Sequence, residues 1–477
     1  MKKTKIVATL GPATNTEEKI KQLILAGVDV FRFNFSHGDH ETHRENLKKV
    51  RKVADTLNKH TAILQDLSGP KIRLGEVKEP FYVHYGDKFK ILKDQIKGSK
   101  DAVSLNYPEI LEQLNVGDYI YVADGLIRLK VEEKNSEGVV VKTIVGGMIS
   151  SRKGVNFPSA KLNISAITEK DIKDIEFAVK EGIDIIALSF VKEAKDVIKA
   201  KEIIAKFGGN QPLFAKIEKH EAVENIGEII DVADGIMVAR GDLGVEVDIE
   251  KVPIIQKMII KKCNKAGKPV ITATQMLTSM LSSVRPTRAE VSDIANAVLD
   301  GTDAVMLSDE TAVGKYPIEA VKVMAKTILE AEKVYDYYKE YDIKGDRTLS
   351  IAFSASSLAE KINAKAIATF TKSGRTAKNV SKFRPKSPIL AITHDIETLR
   401  RLNIVWGVVP YMCIEDEVNS DKLLCRFVNK AYKEKYTKED QIIALVGFVG
   451  GITGSTSIIR VLGKEDIKYM LDTECKG

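Results

Sequence analysis

The sequence predicts an α/β protein: a (β/α)8, or TIM, barrel interrupted by an inserted all-β unit and followed by an open-sheet α/β unit. Three observations predict it. Apolar runs of strand length alternate with helix-period segments up to residue 67. From about 71 to 165 the runs become short and alternating, and the earlier rhythm then resumes. Three strands before the break and five after it make the eight of a barrel. A doubly wound sheet would show the same alternation and is the competing topology.

The elements follow in order. KIVATL (5–10) is a strand, EEKIKQLILAG (17–27) a helix with a glycine stop, and VDVFRFNFS (28–36) a strand. ETHRENLKKVRKVADTLNK (41–59) is a polar-faced helix and TAILQDL (61–67) the third strand. YVHYGDKFKIL, DYIYVADGLIRLKVEE and GVVVKTIVGG are separated by turn signals at Gly86-Asp87, Gly117-Asp118, Asp124-Gly125 and Asn135 to Gly138. They read as a small β-barrel. DIIALSF (184–190), LFAKIE (213–218), GIMVAR (235–240), PVITATQ (269–275) and DAVMLSD (303–309) supply the other five strands, with a helical segment of ten residues or more after nearly every one. AIATFT (366–371), PILAIT (388–393), VVPYMC (408–413) and IIALVGF (442–448) supply the last sheet. The expected division is 1–70 with 166–344 for the barrel, 71–165 for the insert and 345–477 for the C-terminal unit.

Composition narrows the function classes. The net charge is +7, but acids and bases are interleaved and no run of five or six like charges occurs. A nucleic-acid stripe is therefore not expected, whereas small anionic substrates fit. Four cysteines, Cys263, Cys413, Cys425 and Cys475, form no CxxC pair and read as reduced thiols of a cytosolic protein. The run IVATL is too short for a signal peptide and is broken by Gly11-Pro12. No apolar stretch approaches the ~20 residues of a membrane span. A cytoplasmic protein without membrane contact is the expectation.

In a barrel the chemistry sits at the carboxyl ends of the strands. Arg32, Asn34 and Ser36 alternate with phenylalanines and share one face there. Asp66 ends the third strand, Lys216 and Glu218 the fifth, and Arg240 with Gly241-Asp242 the sixth. Thr272 and Thr274 lie on the seventh, and Ser308 ends the eighth, with Glu310 just beyond. One such residue is ordinarily a solvated strand end or a helix cap. Acids and bases recurring at the same end of strand after strand are different, because an inward lysine beside a glutamate is costly without an ion to bind. Glu218 and Asp242 suit a hard divalent cation, Mg²⁺ or Mn²⁺. Lys216, Arg32 and Arg73 suit a phosphoryl group. SHGDHETH (36–43) invites a zinc reading, but it lacks an HExxH pattern or a cysteine partner, so helix capping and nucleotide contact are preferred. TKSGRTA (371–377), between a strand and a helix, reads equally as a phosphate cradle and as a plain loop.

KIVATLGPAT, FRFNFSHG, GPKIR, RKGVNFP, AKIEKHEAV, IMVARGDLGVEV, TATQMLTSM, RPTRAEVSDIANAVLDGTDAVMLS and ETAVGKYP occur in this order. The series resembles the pyruvate kinase family, and the TKSGR loop extends the resemblance into the C-terminal unit. The resemblance implies transfer of phosphate from phosphoenolpyruvate to MgADP, a β-barrel lid, and an effector site in the C-terminal unit. It implies that Glu218 and Asp242 hold Mg²⁺. Gly241, Asp242, Thr274 and Ser308 would meet the substrate, with the Gly241 and Asp242 N–H groups and the Thr274 hydroxyl fixing its carboxylate. Arg32 would clamp the phosphoryl group, Lys216 would stabilise developing charge, and Thr274 would serve the protonation of the enolate. Asn34, His37, Arg73 and Lys153 would meet ADP or ATP. Thr371, Lys372, Ser373, Arg375 and Thr376 would bind a sugar phosphate or nucleotide monophosphate. A homotetramer is implied as well. Ala123 departs from the family's frequent DDG run, while Asp124 is kept.

One departure carries a prediction. In K⁺-dependent members the ion resembles a ligand of residues matching Asn34, Ser36 and Asp66 and of a threonine after the aspartate, with a glutamate at the position of Lys71. Here the threonine is Leu67 and the glutamate is Lys71. The lysine ammonium is then expected to replace the ion, giving an enzyme that needs no K⁺. Two other readings stay open: a different Mg²⁺-dependent barrel enzyme of enolates, and a non-enzymatic sugar-phosphate sensor.

Overall fold

The computed structural model describes the chain except residues 159, 161, 415–419, 435, 438–441, 448–455 and 473–477. Eight parallel strands, Lys5–Thr9, Val30–Asn34, Ala62–Asp66, Ile185–Leu188, Leu213–Ile217, Gly235–Ala239, Val270–Ala273 and Ala304–Leu307, close into a barrel. The first strand pairs with both the second and the eighth, which rules out the open, doubly wound sheet. Strands such as Lys5–Thr9 and Ala62–Asp66 are buried at every position, as a sheet filled inside and covered by helices outside requires.

Local sequence sets the helix limits. Thr16 caps Glu17–Ala26, and reciprocal capping boxes, Thr168 with Asp171 and Thr287 with Glu290, open Glu169–Lys180 and Arg288–Asp300. The fifth strand departs from the expected rhythm. Two short helices follow it, His220–Glu224 and Ile226–Val232, meeting at Asn225. The Asn225 amide donates to the Lys192 carbonyl at 3.0 Å and turns the chain there.

The insert leaves after the third strand and returns before Glu169–Lys180. Its six-stranded sheet has Val155–Asn156 and Ala102–Ser104 at its edges. Bridges Arg73↔Gly154 and Leu74↔Leu105 draw those edges together, so the segment at 73–74 completes the small barrel. Val83, Phe89, Ile120, Leu129 and Val141 belong to a core of its own.

The C-terminal sheet runs Val408–Cys413, Ile389–Thr393, Ala366–Phe370, Ile442–Gly447, Thr456–Leu462. The sequence reading found four of these strands. It missed Thr456–Leu462, which pairs antiparallel at the edge and belongs to no βα repeat. This unit docks on the amino-terminal end of the barrel. Arg384 donates to Asp303 at 3.0 Å, and the Asn403 amide to the carbonyls of Asp29 and His60 at 2.9 and 2.8 Å. Val7, Leu64, Ile185 and Met237 inside the barrel form one contiguous cluster with Ala355, Ile367, Ile389 and Val408 of the C-terminal unit.

The expectation of reduced thiols holds for Cys263 and Cys413 but not for Cys425, which is disulfide-bonded. Two cysteines far apart in sequence can pair without any CxxC motif, so spacing could not reveal it. Cys475 lies outside the described residues. Among the described residues no helix is long and apolar enough to cross a membrane.

Candidate active site

Asp66 is the centre of the carboxyl end. It is 1% exposed and accepts from Arg32 Nε at 2.7 Å on one oxygen and pairs with Lys216 Nζ at 2.9 Å through the other. Lys216 Nζ also reaches Glu218 Oε1 at 2.8 Å and donates to Ser189 Oγ at 2.8 Å, so its three donors are all engaged. Arg32 Nη1 donates to Thr9 Oγ1 at 3.0 Å. Four barrel strands and the turn after Ile185–Leu188 thus hold one network.

Charges inside the network fix its protonation. Burial opposes the Lys216 ammonium, but Asp66 and Glu218 outweigh it and lift the pKa above the ordinary lysine value. Burial likewise disfavours ionised Asp66, yet Lys216 and Arg32 hold its carboxyl below the usual range. Crowding by protein, and then the Glu218 charge, push the Asp242 carboxyl up to about 6. The Asp242 side chain still faces the open cleft, so water moderates that crowding. Burial, Lys216 and Arg73 together lower the pKa of Lys71.

A cavity of about 390 Å³ lies between this end of the barrel and the lid. Arg32, Asn34, Ser36, Asp66, Lys71, Arg73, Lys216, Glu218 and Asp242 line it from the barrel side and hinge, and Asp124, Arg152 and Asn156 from the lid. His37, Lys153, Gly241, Thr274 and Ser308 are not among the residues that line it. The His37 carbonyl faces His43 Nε2 at 3.0 Å, and the Lys153 carbonyl accepts from Leu74 N–H at 2.9 Å. His40 pairs with Asp174 at 2.7 Å, His43 stacks on Phe35, and Asp39 caps the helix His40–Thr56. The helix-capping reading of SHGDHETH therefore holds for Asp39.

Thr274 and Gly241 meet directly: Gly241 N–H donates to Thr274 Oγ1 at 2.7 Å. Thr274 has a left-handed backbone, φ 68°, and Gln275 follows at φ 55°. Arg240 supports this turn by donating to the Thr274 carbonyl at 2.7 Å. Ser308 Oγ is buried without a partner among the described residues, and the Glu310 carboxylate is occupied by the N–H groups of Leu277 and Ser308. The lid turn Ala123-Asp124-Gly125 is left-handed throughout, φ 54°, 57° and 83°.

The carboxylates of Glu218 and Asp242 fit a divalent ion. Asp242 is pushed towards its neutral form by the Glu218 charge, a repulsion that a dication would relieve. Among the described residues no third acid, histidine or cysteine joins them as a metal-holding group. Water and substrate oxygens would complete the shell, as Mg²⁺ ordinarily requires.

Sequence reasoning passed over Thr9 and Ser189, which touch Arg32 and Lys216. Both sit at the carboxyl ends of strands one and four, so the rule applied to the other six strands would have found them. The lid's Arg152 and Asn156 lie in the RKGVNFP segment, but of that segment only Lys153 was singled out.

A closed barrel with paired acids and fixed cations under an inserted lid defines the class: a barrel enzyme equipped for phosphoryl transfer. The family described as "Pyruvate kinase, barrel domain" matches residues 1–321, and "Pyruvate kinase, alpha/beta domain" matches residues 349–462. "Pyruvate kinase 2" of Synechocystis is 44% identical over 469 residues, spanning 96% of this chain and 79% of that protein. A pyruvate kinase of Staphylococcus aureus MRSA252 is 44% identical over 473 residues, spanning 97% and 80%. The crystal structure of a pyruvate kinase from Cryptosporidium parvum superposes with a TM-score of 0.91 at 37% identity, covering 97% of this chain and 96% of that one. The chain belongs to the pyruvate kinase family, and it is a phosphotransferase.

Proposed function

We propose that this enzyme transfers the phosphoryl group of phosphoenolpyruvate to MgADP, giving pyruvate and ATP in the cytoplasm, without K⁺ and under activation by a phosphorylated metabolite. The observation that carries the reading is the Lys216 ammonium, fixed between Asp66 and Glu218 beside Arg32 in a lid-covered cleft. The bond from phosphorus to the enol oxygen breaks, a bond from phosphorus to a β-phosphate oxygen of ADP forms, and the enolate takes a proton at carbon. Arg32 holds the phosphoryl oxygens. Lys216 stabilises the charge spreading over phosphoryl and enolate, and as a strong base it stays an ammonium and does not donate the proton. Thr274, or a water that it orients, serves the protonation. Glu218 and Asp242 would hold Mg²⁺, which when bound neutralises phosphate charge. Lid closure excludes water that would otherwise compete for the phosphoryl group.

The hinge has geometric support at Gly69. Its φ is 63°, its N–H donates to Asp171 at 3.1 Å, and an added Cβ would lie 2.6 Å from the Phe190 ring. K⁺ independence is supported by two placements. Leu67 is buried and belongs to the barrel's apolar core, so no hydroxyl exists there, while Lys71 lines the cleft with Asn34, Ser36 and Asp66. The effector residues run from the loop after Ala366–Phe370 into the first turn of the helix Arg375–Lys382, and Lys372, Ser373 and Arg375 are exposed. We place the division between barrel, lid and C-terminal units at 70/71, 165/166 and 344/345, and propose a homotetramer. A coupled assay of pyruvate formation tests the central reading; turnover without ADP, or none with it, would overturn it.

A further inference from the structure

Two lid segments touch one short helix of the barrel. Arg240–Glu246 begins beside Gly241 and Asp242 at the cleft and ends on Glu246, which is 4% exposed. Asn156, the last residue of the lid strand Val155–Asn156, donates through its amide to Glu246 Oε1 at 3.0 Å. Lys219, the residue after Glu218, pairs with the same oxygen at 2.5 Å. One residue earlier in the helix, Val245 lies against the lid turn: a Cβ on Gly125 would stand 3.8 Å from Val245 Cγ1. Lys219 Nζ also sits over the Phe190 ring at 5.4 Å, and Phe190 N–H donates to Glu218 Oε2 at 3.1 Å.

We propose that Asn156, Glu246 and Lys219 form a latch that couples lid closure to the geometry of the Glu218–Asp242 pair. Glu246 and Asn156 are positioning residues in it; neither is assigned to the reacting atoms. The inference rests on reading the cleft as the site of phosphoryl transfer. The helix spans only two turns, about 10 Å, so the position of its last residue sets where its first turn points. Lys219 ties Glu246 to the segment bearing Glu218 whether the lid is open or closed. Asn156 can add its bond only when the lid is down. Besides Asn156 and Lys219, Glu246 faces His220 Nδ1 at 3.8 Å, on its own side of the cleft; a buried carboxylate that loses its one lid donor rehydrates and shifts, and the helix shifts with it. Coupling is reciprocal: an ion held by the acid pair favours the closed lid, and the closed lid tightens the ion site.

The test uses the full-length enzyme and four variants: Asn156→Ala, Asn156→Asp, Glu246→Gln and the double variant Asn156→Asp/Glu246→Gln. Two readouts need no turnover. One is hydrogen exchange of the hinge amides at 67–72 and 162–167, with and without MgADP; the other is Mn²⁺ binding to the free enzyme. Asn156→Ala should speed hinge exchange about tenfold in the presence of MgADP and weaken Mn²⁺ binding about threefold to tenfold. Asn156→Asp, which sets two carboxylates against each other, should do more of both. The double variant, in which an aspartate accepts from a glutamine amide, should recover part of each loss, a rescue that misfolding would not give. Unchanged hinge exchange and Mn²⁺ binding in Asn156→Asp, with only the KM for ADP raised, would make Asn156 a plain nucleotide contact and overturn the latch. A wild-type enzyme that forms no pyruvate would overturn the functional reading instead, while the exchange and Mn²⁺ results would stand.

Discussion

Replacing Lys216 with methionine removes the one charge that contacts both Asp66 and Glu218 while keeping most of its volume. At 2.9 and 2.8 Å, and with an effective dielectric near 20, each contact is a gross attraction of about 6 kcal/mol. Desolvation of three buried ions offsets most of that sum. The net cost of leaving Glu218 without a cation, and Asp66 with Arg32 alone, should be about 3–5 kcal/mol of stability, the scale for breaking a buried pair. Catalysis loses a preorganised cation at the phosphoryl and enolate oxygens, which should lower kcat by about 10²–10³ with a much smaller change in KM. Of the three groups that Nζ contacts, Ser189 Oγ is the neutral one and the least costly to release when substrate arrives. The assay pairs steady-state kinetics with urea denaturation, for Lys216→Met and for Lys216→Met/Glu218→Gln. Asp66 keeps Arg32 as a partner, whereas Glu218 is left without a cation, so the second substitution removes the orphaned charge and should return part of the stability and none of the turnover. A variant with normal kcat and raised KM would refute the assignment, as would turnover that recovers in step with stability.

Asp242→Asn and Glu218→Gln should each weaken Mn²⁺ binding and turnover together; wild-type turnover that survives excess chelator would defeat the metal reading. In Mg²⁺ with K⁺ replaced by a tetraalkylammonium salt at equal ionic strength, wild-type turnover should persist. Lys71→Glu should abolish it there, and adding Leu67→Thr should let K⁺ restore part; strong K⁺ activation of the wild type would contradict this. A sugar phosphate or nucleotide monophosphate should lower the apparent KM for phosphoenolpyruvate, and Ser373→Ala/Arg375→Ala should remove the effect; activation left intact would place the effector elsewhere. Burial brings the pKa of Lys5 down from 10.5 to about 8. Between those values the unfolded chain binds a proton that the folded one has released, so folding should gain up to about 1.4 kcal/mol per pH unit relative to Lys5→Met. Urea midpoints from pH 7 to 10 measure it, and a constant difference would exclude a titrating Lys5.

The barrel was legible because periodicity reports burial, and every strand end that mattered bore a polar residue of recognisable type. Asp66 could be marked as a candidate, but its place between Arg32 and Lys216 could not, since those partners come from strands 34 and 150 residues away in the chain. Ser189 stands at the carboxyl end of its strand as Ser308 does and was passed over; that it touches Nζ at 2.8 Å is visible only in the fold. Asn156 and Glu246 lie 90 residues apart, and nothing in either segment announces the other. His37 and Lys153 stand in the expected motifs, and the contacts made there run through their backbone carbonyls, which no motif specifies. Motifs locate segments well, whereas the orientation of a side chain is settled by packing between segments.

The separate core of the lid has a consequence for how the molecule comes apart. The lid closes its apolar interior on itself, while the inside of the barrel shares a core with one part of the C-terminal unit, which packs a second core of its own around Phe370, Tyr411 and Phe427. Through the shared core the barrel and the C-terminal unit are coupled, and the lid stands apart. The lid can detach, or even melt, at a free energy well below that of global unfolding, because doing so breaks polar contacts and exposes little of the barrel interior. The C-terminal unit has no such freedom: loosening it opens the floor of the barrel. An event at its surface that disturbed the shared core would reach the barrel directly, and the lid only through the barrel.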